Sequence, residues 1–255
     1  MISIKLNLRC FFSGIFLPIF LQALIVQTNQ MSEVLSHVDF NTWVFFDIDD
    51  TLITSQMQLG RSDYYFVQFT KLRQQGMEEE QAHEICRAHW NEVQEKCPIR
   101  LMDPLIPGIV SQIQQMAAYT LGLTARGPQT NLITQRQLRS LNLDFTTSSP
   151  STVSAELPYW HLYENGVWFV ESNGKGHAVR KWFAGLSEHP TKVVFVDDRL
   201  HHLENMEAQL SDLSIEYVGV HYIKTLEHLF DSKIAEIQAK YFPQILSDEE
   251  AEKKL

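Results

Sequence analysis

The sequence has few cysteines and few basic residues, and each shortage argues against a class of protein. Its three cysteines, Cys10, Cys86 and Cys97, match no metal-ligand spacing. Cys86 and Cys97 fall in one helical stretch, so we predict free thiols, with a disulfide as the alternative for an exported protein. Lysine and arginine number 21 against 31 acidic residues and form no long basic stripe. We therefore expect no nucleic-acid polymer as a partner, although a single nucleotide is not excluded.

The first thirty residues lack an Ala-x-Ala cleavage pattern but otherwise have the order of a signal peptide. Lys5 and Arg9 precede a nearly apolar run, 10–26, which is short for a spanning helix of about 20 residues. We predict that residues 1–30 are a signal peptide and that the mature protein is periplasmic or secreted, with no stable membrane span. Two alternatives stay open: an uncleaved anchor, or a misassigned start with true initiation at Met31 and a cytoplasmic protein.

The remaining chain lacks internal repeats and low-complexity linkers, and alternates short apolar runs with amphipathic stretches. Apolar runs at 43–46, 119–123, 192–196 and 216–220 are predicted strands, the first and third buried on both faces. This alternation predicts one α/β domain at 31–255, with a doubly wound parallel sheet and helices on both faces.

The first two of these runs are about seventy residues apart, which is more than one crossover helix needs. We predict a small helical cap inserted at 55–115, including a helix at 77–96 in which Trp90 faces the core. Glu164-Asn165-Gly166 predicts a hairpin with a type I′ turn. The charged tail, 247–255, is predicted to be a frayed, solvated end, with a Glu-rich secretion signal as the less favoured interpretation.

Two carboxylates follow the first predicted strand. In Asp47-Ile48-Asp49-Asp50-Thr51, the side chains of Asp47 and Asp49 would project to one side of an extended chain. One carboxylate can attack a phosphoryl group and form an acyl phosphate. The other can protonate the leaving alcohol and then deprotonate water, which is worth on the order of 10²–10⁴-fold in rate. The alternative is an Asp-rich turn in which Asp50 or Thr51 caps a helix.

Polar residues also follow the later strands. Thr124 precedes a predicted helix, so it either belongs to an anion site or only caps that helix. Lys175 lies in a glycine-containing loop, where it either shields negative charge or is solvated surface. Asp197 and Asp198 would complete an oxygen-rich pocket suited to Mg²⁺, because two such carboxylates repel each other without a cation.

Three further residues near these motifs have less specific patterns. Arg61 either binds a second anionic group of a substrate or is explained by packing and exposure. His201 and His202 have no partner at i+4 and point in different directions on a helix, so we predict a partly exposed helix start and no metal site.

The order Asp-x-Asp-x-Thr, Thr, Lys and Asp-Asp, each at an element boundary, resembles the four motifs of the haloacid dehalogenase (HAD) superfamily. The resemblance covers most of 41–222 and is carried by 46–52, 123–127 and 196–198. The amino-acid sequence of these stretches, together with that of 163–167 and 173–176, resembles a branch of that superfamily found in intracellular bacterial pathogens. The resemblance implies a Rossmann-like HAD core with a cap after the first strand.

The resemblance also implies a magnesium-dependent phosphatase that hydrolyses a phosphate monoester through an aspartyl phosphate. Asp47 would be the nucleophile and a metal ligand, and Asp49 the acid/base with its main-chain carbonyl on the metal. Asp197 would bind Mg²⁺ directly, with Asp198 in support. A carboxylate at the position of Asp49 is typical of the phosphatases and phosphomutases of the superfamily.

The resemblance assigns substrate binding to two other motifs. Thr124 and Ala125 would bind the phosphate through a hydroxyl and the backbone. Lys175 would be the motif III lysine, with Lys181 as the alternative. The expected partner is a small phosphorylated substrate or a phosphoprotein.

Two other functions are compatible with the sequence. A phosphotransferase or phosphomutase would use the same residues but protect the acyl phosphate from water. A non-catalytic effector or binding protein could keep the HAD fold and use the pocket or cap to recognise a partner. The complete set of motif residues favours an enzyme.

Overall fold

The computed structural model describes residues 23–153, 161–171, 174–227 and 229–255. The strands of this part of the chain are β1 (Leu24–Thr28), β2 (Thr42–Phe46), β3 (Ile53–Ser55), β4 (Ile99–Leu101), β5 (Tyr119–Thr124), β6 (Leu162–Glu164), β7 (Val167–Phe169), β8 (Lys192–Asp197) and β9 (Glu216–Tyr222). Its α-helices are α1 (Ser62–Gln74), α2 (Glu79–Lys96), α3 (Ile106–Met116), α4 (Asn131–Ser140), α5 (Lys175–Phe183), α6 (Leu200–Leu210), α7 (Ser232–Tyr241) and α8 (Asp248–Glu252).

The central sheet has seven strands in the order β1-β9-β8-β2-β5-β7-β6. Neighbouring strands are parallel except at the β6–β7 edge, where they are antiparallel. The strand β2 therefore lies between β5 and β8, and the carboxyl ends of these three strands meet at one edge of the sheet. The predicted fold class, an α/β protein with a mostly parallel sheet, is confirmed.

Helices cover both faces of this sheet. Alternating residues of β2 divide between two cores, because successive side chains of a strand point to opposite faces. Phe46 packs in the core that includes α3 and Leu138 of α4. Phe45 packs in the other core, against α5 and α6. Each of these fully buried rings contributes about 1.5–3 kcal/mol relative to an exposed one, so the strand that ends at Asp47 is anchored on two sides.

The predicted hairpin is confirmed as β6 and β7. Asn165 and Gly166 connect the two strands with φ angles of 51° and 75°, the positive values that a type I′ turn requires. A Cβ atom on Gly166 would lie 2.3 Å from the carbonyl oxygen of Phe145. Glycine is therefore needed at this position for its conformation and for its close packing.

The folded domain begins before its predicted start at residue 31. The strand β1 pairs with β9 in parallel, from Leu24 opposite Val218 to Thr28 opposite Tyr222, and Met31 is buried in the main core. Residues 1–22 of the predicted signal peptide lie outside the described residues. Among the residues that are described, no helix is long and apolar enough to cross a membrane.

The inserted segment is shorter than the predicted 55–115. The two cap helices, α1 and α2, lie between the antiparallel strands β3 and β4, which form a two-stranded sheet at the base of the cap. Helix α3 instead belongs to the main core, where Ile106, Val110 and Ile113 are buried. Its apolar face packs against the sheet, so the chain has already returned to the core domain by residue 106.

The prediction of a frayed C-terminal tail is wrong. Ser247 caps α8 with a full capping box that includes Glu250, and Ala251 is completely buried. Asp248 accepts hydrogen bonds from the backbone N–H and the side chain of Gln58, at 3.1 and 3.0 Å. The C-terminal segment is therefore packed against the segment that leads into the cap.

Candidate active site

Three site residues lie where neighbouring strands end. Asp47 follows β2, Thr124 ends β5 and Asp197 ends β8, and all three are buried. The backbone N–H of Asp47 donates to the carbonyl of Val196 at 2.9 Å, which continues the β2–β8 pairing to the site. The sheet itself therefore holds the two aspartates beside each other, and Asp47 and Thr124 line one cavity.

Lys175 joins these aspartates from the first turn of α5. Its ammonium donates to Asp47 Oδ1 and, at 2.7 Å, to Asp197 Oδ2. Gly174 precedes it with a φ of 84°, and a Cβ on Gly176 would lie 2.7 Å from the backbone of Met206 in α6. The two glycines thus let α5 begin close against α6, which brings the lysine to the carboxylates.

The position of the alternative lysine settles which one faces the site. Lys181 is exposed, whereas Lys175 is buried beside Asp47. Although burial opposes charge, the Asp197 and Asp47 carboxylates raise the pKa of Lys175 above its usual value. The lysine is therefore an ammonium ion at neutral pH.

Asp198 joins Asp47 and Asp197 in a cluster whose ligand oxygens lie within 4.8 Å of one another. Burial raises the pKa of Asp47 to about 6, against the opposing effect of Lys175. Burial also favours the neutral form of Asp197, but Lys175 and His202 outweigh it and hold that pKa at about 2. Burial and the two neighbouring carboxylates raise the pKa of Asp198 well above its usual value. The crowded carboxylates thus disfavour one another's ionised form, a repulsion that a bound cation would relieve, and their all-oxygen donor set is compatible with a divalent metal ion.

A tight turn after Asp47 orders the cluster. Asp50 has a φ of 60°, and its carboxylate accepts from Thr54 Oγ1 at 2.7 Å and from Ser62 Oγ at 2.5 Å. Thr51 Oγ1 donates to Asp47 Oδ2 at 3.3 Å and accepts from the backbone N–H of Asp198 at 3.0 Å. The turn leads into β3, so the alternative in which Asp50 or Thr51 caps a helix is wrong.

Asp49 forms a bidentate ion pair with Arg126, which the sequence interpretation did not include among the site residues. Arg126 Nη2 and Nε donate to the two carboxylate oxygens at 2.7 and 2.8 Å. Its other terminal nitrogen donates to Thr134 and Gln137 of α4 at 2.8 and 2.7 Å. The guanidinium group is thus held on both sides, and it orients the Asp49 carboxylate at the cavity wall.

A second arginine, Arg199, forms an ion pair with Asp198 through a single hydrogen bond. Arg199 Nε donates to Asp198 Oδ2 at 3.1 Å, and Arg199 Nη2 donates to Ser62 Oγ of the cap at 2.9 Å. His201 and His202 lie in the first turn of α6 and are at least partly exposed, as predicted, and His202 Nδ1 also lies 3.1 Å from Asp197 Oδ2. The contacts of Arg199 with Asp198 and of His202 with Asp197 join residues close in sequence, whereas the bond from Arg199 to Ser62 spans 137 residues and depends on tertiary packing.

A cavity of about 360 Å³ opens above the cluster, between the sheet and the cap. Trp90 lines it and its ring centroid lies 5.2 Å from the guanidinium carbon of Arg126, so its prediction as a core-facing residue is wrong. Arg61 is buried outside the cavity lining and pairs with Asp63 at 3.3 Å, which contradicts its suggested role at a second anion.

The structure brings most of the predicted site residues to this cavity. Those that line it are Asp47, Asp49, Thr124, Ala125, Lys175 and Asp198. Asp197 lies behind them, completely buried, and reaches the site through Lys175. The arrangement combines a carboxylate held by an ammonium group, a second carboxylate beside it and a candidate metal cluster.

Comparisons with known proteins give sequence relatives in Chlamydia and Rickettsia. A Chlamydia pneumoniae protein named "Putative outer membrane protein" is 26% identical over 213 residues, which cover 83% of this chain and 81% of that protein. A Chlamydia trachomatis protein of the same name is 25% identical, and the match covers 89% of this chain and 88% of that protein. A Rickettsia prowazekii protein is 27% identical, with 90% and 89% covered.

One solved structure is also similar. A haloacid dehalogenase-like hydrolase from Streptococcus pneumoniae has a TM-score of 0.40 and 12% identity, and the match covers 73% of this chain and 97% of that protein. A family model covers more of the chain than this structure does: residues 27–252 match a family described as "Protein of unknown function (DUF2608)". The chain belongs to the DUF2608 family.

Proposed function

We propose that this protein is a magnesium-dependent phosphatase that hydrolyses a phosphate monoester through an aspartyl-phosphate intermediate. The observation that carries the proposal is the contact of the Lys175 ammonium with both Asp47 and Asp197 at the floor of the cavity. An ammonium so placed keeps Asp47 ionised and lowers the repulsion between that carboxylate and an incoming phosphate. The HAD-like order of the motifs gives independent support.

In the proposed reaction, a carboxylate oxygen of Asp47 bonds to phosphorus while the bond from phosphorus to the ester oxygen breaks. The leaving oxygen takes a proton from the Asp49 carboxyl group. Water then gives a proton to Asp49 and bonds to phosphorus, which releases inorganic phosphate and restores the Asp47 carboxylate. Thr124 is buried at the cavity wall beside Ala125, where its hydroxyl can bind a phosphate oxygen.

The ion pair with Arg126 determines what Asp49 can do. Both oxygens of Asp49 accept hydrogen bonds from the guanidinium group, and the side chain is 27% exposed at the cavity wall. One of the two bonds must give way before Asp49 can carry a proton to the leaving oxygen. The other can then keep the carboxyl group oriented during the transfer.

Asp47, Asp197 and Asp198 are the residues that would hold the metal. Their oxygens converge within 4.8 Å, and a cation would relieve the repulsion between these neighbouring carboxylates. Bound Mg²⁺ supplies charge stabilisation to the phosphate.

Phosphate release from p-nitrophenyl phosphate by the full chain, with and without Mg²⁺, tests the proposal. We expect turnover that requires Mg²⁺ and that falls by more than about 10³-fold in Asp47→Asn. The matched control is Asp144→Asn, because the side chain of Asp144 is 55% exposed and its partners, Arg139 and the backbone N–H of Thr146, lie outside the cavity lining. Unchanged turnover in Asp47→Asn would contradict the mechanism. A phosphorylated product other than inorganic phosphate would favour a phosphotransferase instead.

We also propose that the protein is exported. The apolar run at 10–26 and the names of the chlamydial relatives support this. Since β1 is part of the sheet, cleavage that preserves the fold would leave Leu24 in the mature chain. Mass spectrometry of the N-terminus in the expressing cell tests both points, and a protein that begins at Met31 in the cytoplasm would contradict them.

A further inference from the structure

The cavity wall that the cap helices form is mainly aromatic. Tyr65 and Phe66 of α1 line it, together with His83 and Trp90 of α2. The Tyr65 hydroxyl lies 2.7 Å from Nδ1 of His83, and the ring of His83 stacks on Phe69 at 4.1 Å. These contacts fix the orientation of the rings, so the wall is a pre-formed apolar surface.

Two of these rings also rest on arginines that are themselves held by carboxylates. The guanidinium carbon of Arg126 lies 5.2 Å from the ring centroid of Trp90, and that of Arg199 lies 5.4 Å from the centroid of Phe66. Such cation–π contacts hold each ring against the core domain. A ligand that stacks on this wall would therefore lose little affinity to the ordering of side chains.

The guanidinium groups of the lining already have carboxylate partners. Arg87 pairs with Glu171 at 3.1 Å, and Arg126 and Arg199 pair with the site carboxylates described above. Lys175 is engaged by Asp47 and Asp197. Among the described lining residues, no lysine or arginine is left over for a second anionic group. A carboxylate or further phosphate on the substrate would lose its water without gaining an unpaired lysine or arginine.

We propose that the substrate carries a single phosphate on a leaving group that contains an uncharged planar ring, either an aryl alcohol or a nucleoside. This inference rests on the proposed phosphatase function and adds the substrate class. The cavity of about 360 Å³ falls in the range of small-molecule sites, roughly 300–1,000 Å³. Stacking of one ring on an aromatic side chain is worth roughly 5–150-fold in affinity.

Binding of non-hydrolysable phosphonates tests the inference without turnover. With Mg²⁺ present, calorimetry on the full chain should give a Kd for phenylphosphonate at least about tenfold below that for methylphosphonate. Phe66→Leu should reduce this preference by at least about threefold. Phe40→Leu, at a phenylalanine that is 78% exposed and outside the cavity lining, should leave it unchanged. Equal affinities for the two phosphonates would overturn the inference.

The charge argument has its own test in a variant that frees Arg87. Glu171→Gln removes the partner of this arginine, so the affinity for 3-phosphonopropionate should rise by about tenfold. Glu188→Gln, at an exposed glutamate outside the cavity lining, is the matched control and should have no effect. Strong binding of 3-phosphonopropionate by the unaltered protein would show an available cation and overturn the inference.

Turnover separates this inference from the phosphatase proposal. Release of phosphate should be at least about tenfold faster, as kcat/KM, from phenyl phosphate or a nucleoside 5′-monophosphate than from glycerol 3-phosphate. The ratio of the first two substrates distinguishes aryl from nucleoside leaving groups. Aryl-selective binding without any phosphate release would defeat the phosphatase proposal and leave the binding preference intact. Release of phosphate at similar rates from ring-containing and ring-free substrates would support the phosphatase proposal and overturn the inference about the substrate class.

Discussion

Replacement of Arg126 by methionine should destabilise the protein more than the loss of any surface ion pair. The Arg126 side chain is 2% exposed and donates four hydrogen bonds, two to Asp49 and one each to Thr134 and Gln137. Methionine keeps much of the volume but removes all four donors. A broken buried ion pair costs about 3–5 kcal/mol. Because Asp49 is 27% exposed and can be hydrated, we expect a loss of roughly 2–4 kcal/mol in the free energy of unfolding.

Urea unfolding of the full chain, followed by tryptophan fluorescence, measures this loss. Arg139→Met is the matched control, since Arg139 and Asp144 are 3.8 Å apart and both more than half exposed. We expect less than about 0.5 kcal/mol for that variant. The cost of Asp49→Asn should also be smaller in the Arg126→Met background, because the pair is already broken. A loss below about 1 kcal/mol in Arg126→Met, or additive effects in the double variant, would refute the reasoning.

Two further substitutions and one alkylation experiment test the packing that supports the site. Gly166→Ala forces a Cβ to 2.3 Å from the Phe145 carbonyl oxygen at a positive φ, and should lower the free energy of unfolding by at least about 2 kcal/mol. Gln238→Leu leaves the backbone N–H of Leu59 without its 2.9 Å acceptor, and urea titration should report a loss of about 1–3 kcal/mol. Burial raises the pKa of Cys97 to about 11, so at pH 8 its thiolate fraction in the folded protein should be about 100-fold lower than in the unfolded chain. Mass spectrometry of the Cys97 peptide measures its alkylation rate, and a rate in the folded protein as fast as in urea would contradict this.

The location of the candidate site could be predicted because its signal is local. A strand buried on both faces is a continuous apolar run, and the polar residue that ends it is visible in the sequence. Asp47, Thr124 and Asp197 each follow such a run. Parallel strands share one carboxyl edge, so these residues were expected to lie together. The choice between Lys175 and Lys181 needed the structure, because it depends on how closely α5 packs on α6.

The electrostatic environment of the site could not be predicted in this way. Arg126 and Asp49 are 77 residues apart in the chain, and no local pattern indicates their pairing. Trp90 has the helical spacing of a core residue, but the face it presents belongs to the cavity because α2 lies over the sheet edge. Amphipathic periodicity marks the apolar face of a helix without naming its partner.

The two ends of the domain show the same division. The charged sequence of 247–255 resembles a solvated tail, yet Ser247 and Asp248 find partners that fold it into α8. Leu24–Thr28 begins within the apolar run 10–26, which has the composition of a leader, yet it pairs with β9. The sequence by itself determined the α/β class, the hairpin turn and the motif residues, because these depend on periodicity and backbone conformation over a few residues. Tertiary structure alone decided the cap boundaries, the pairing of Arg126 with Asp49 and the terminal elements, because those depend on contacts between segments far apart in the chain.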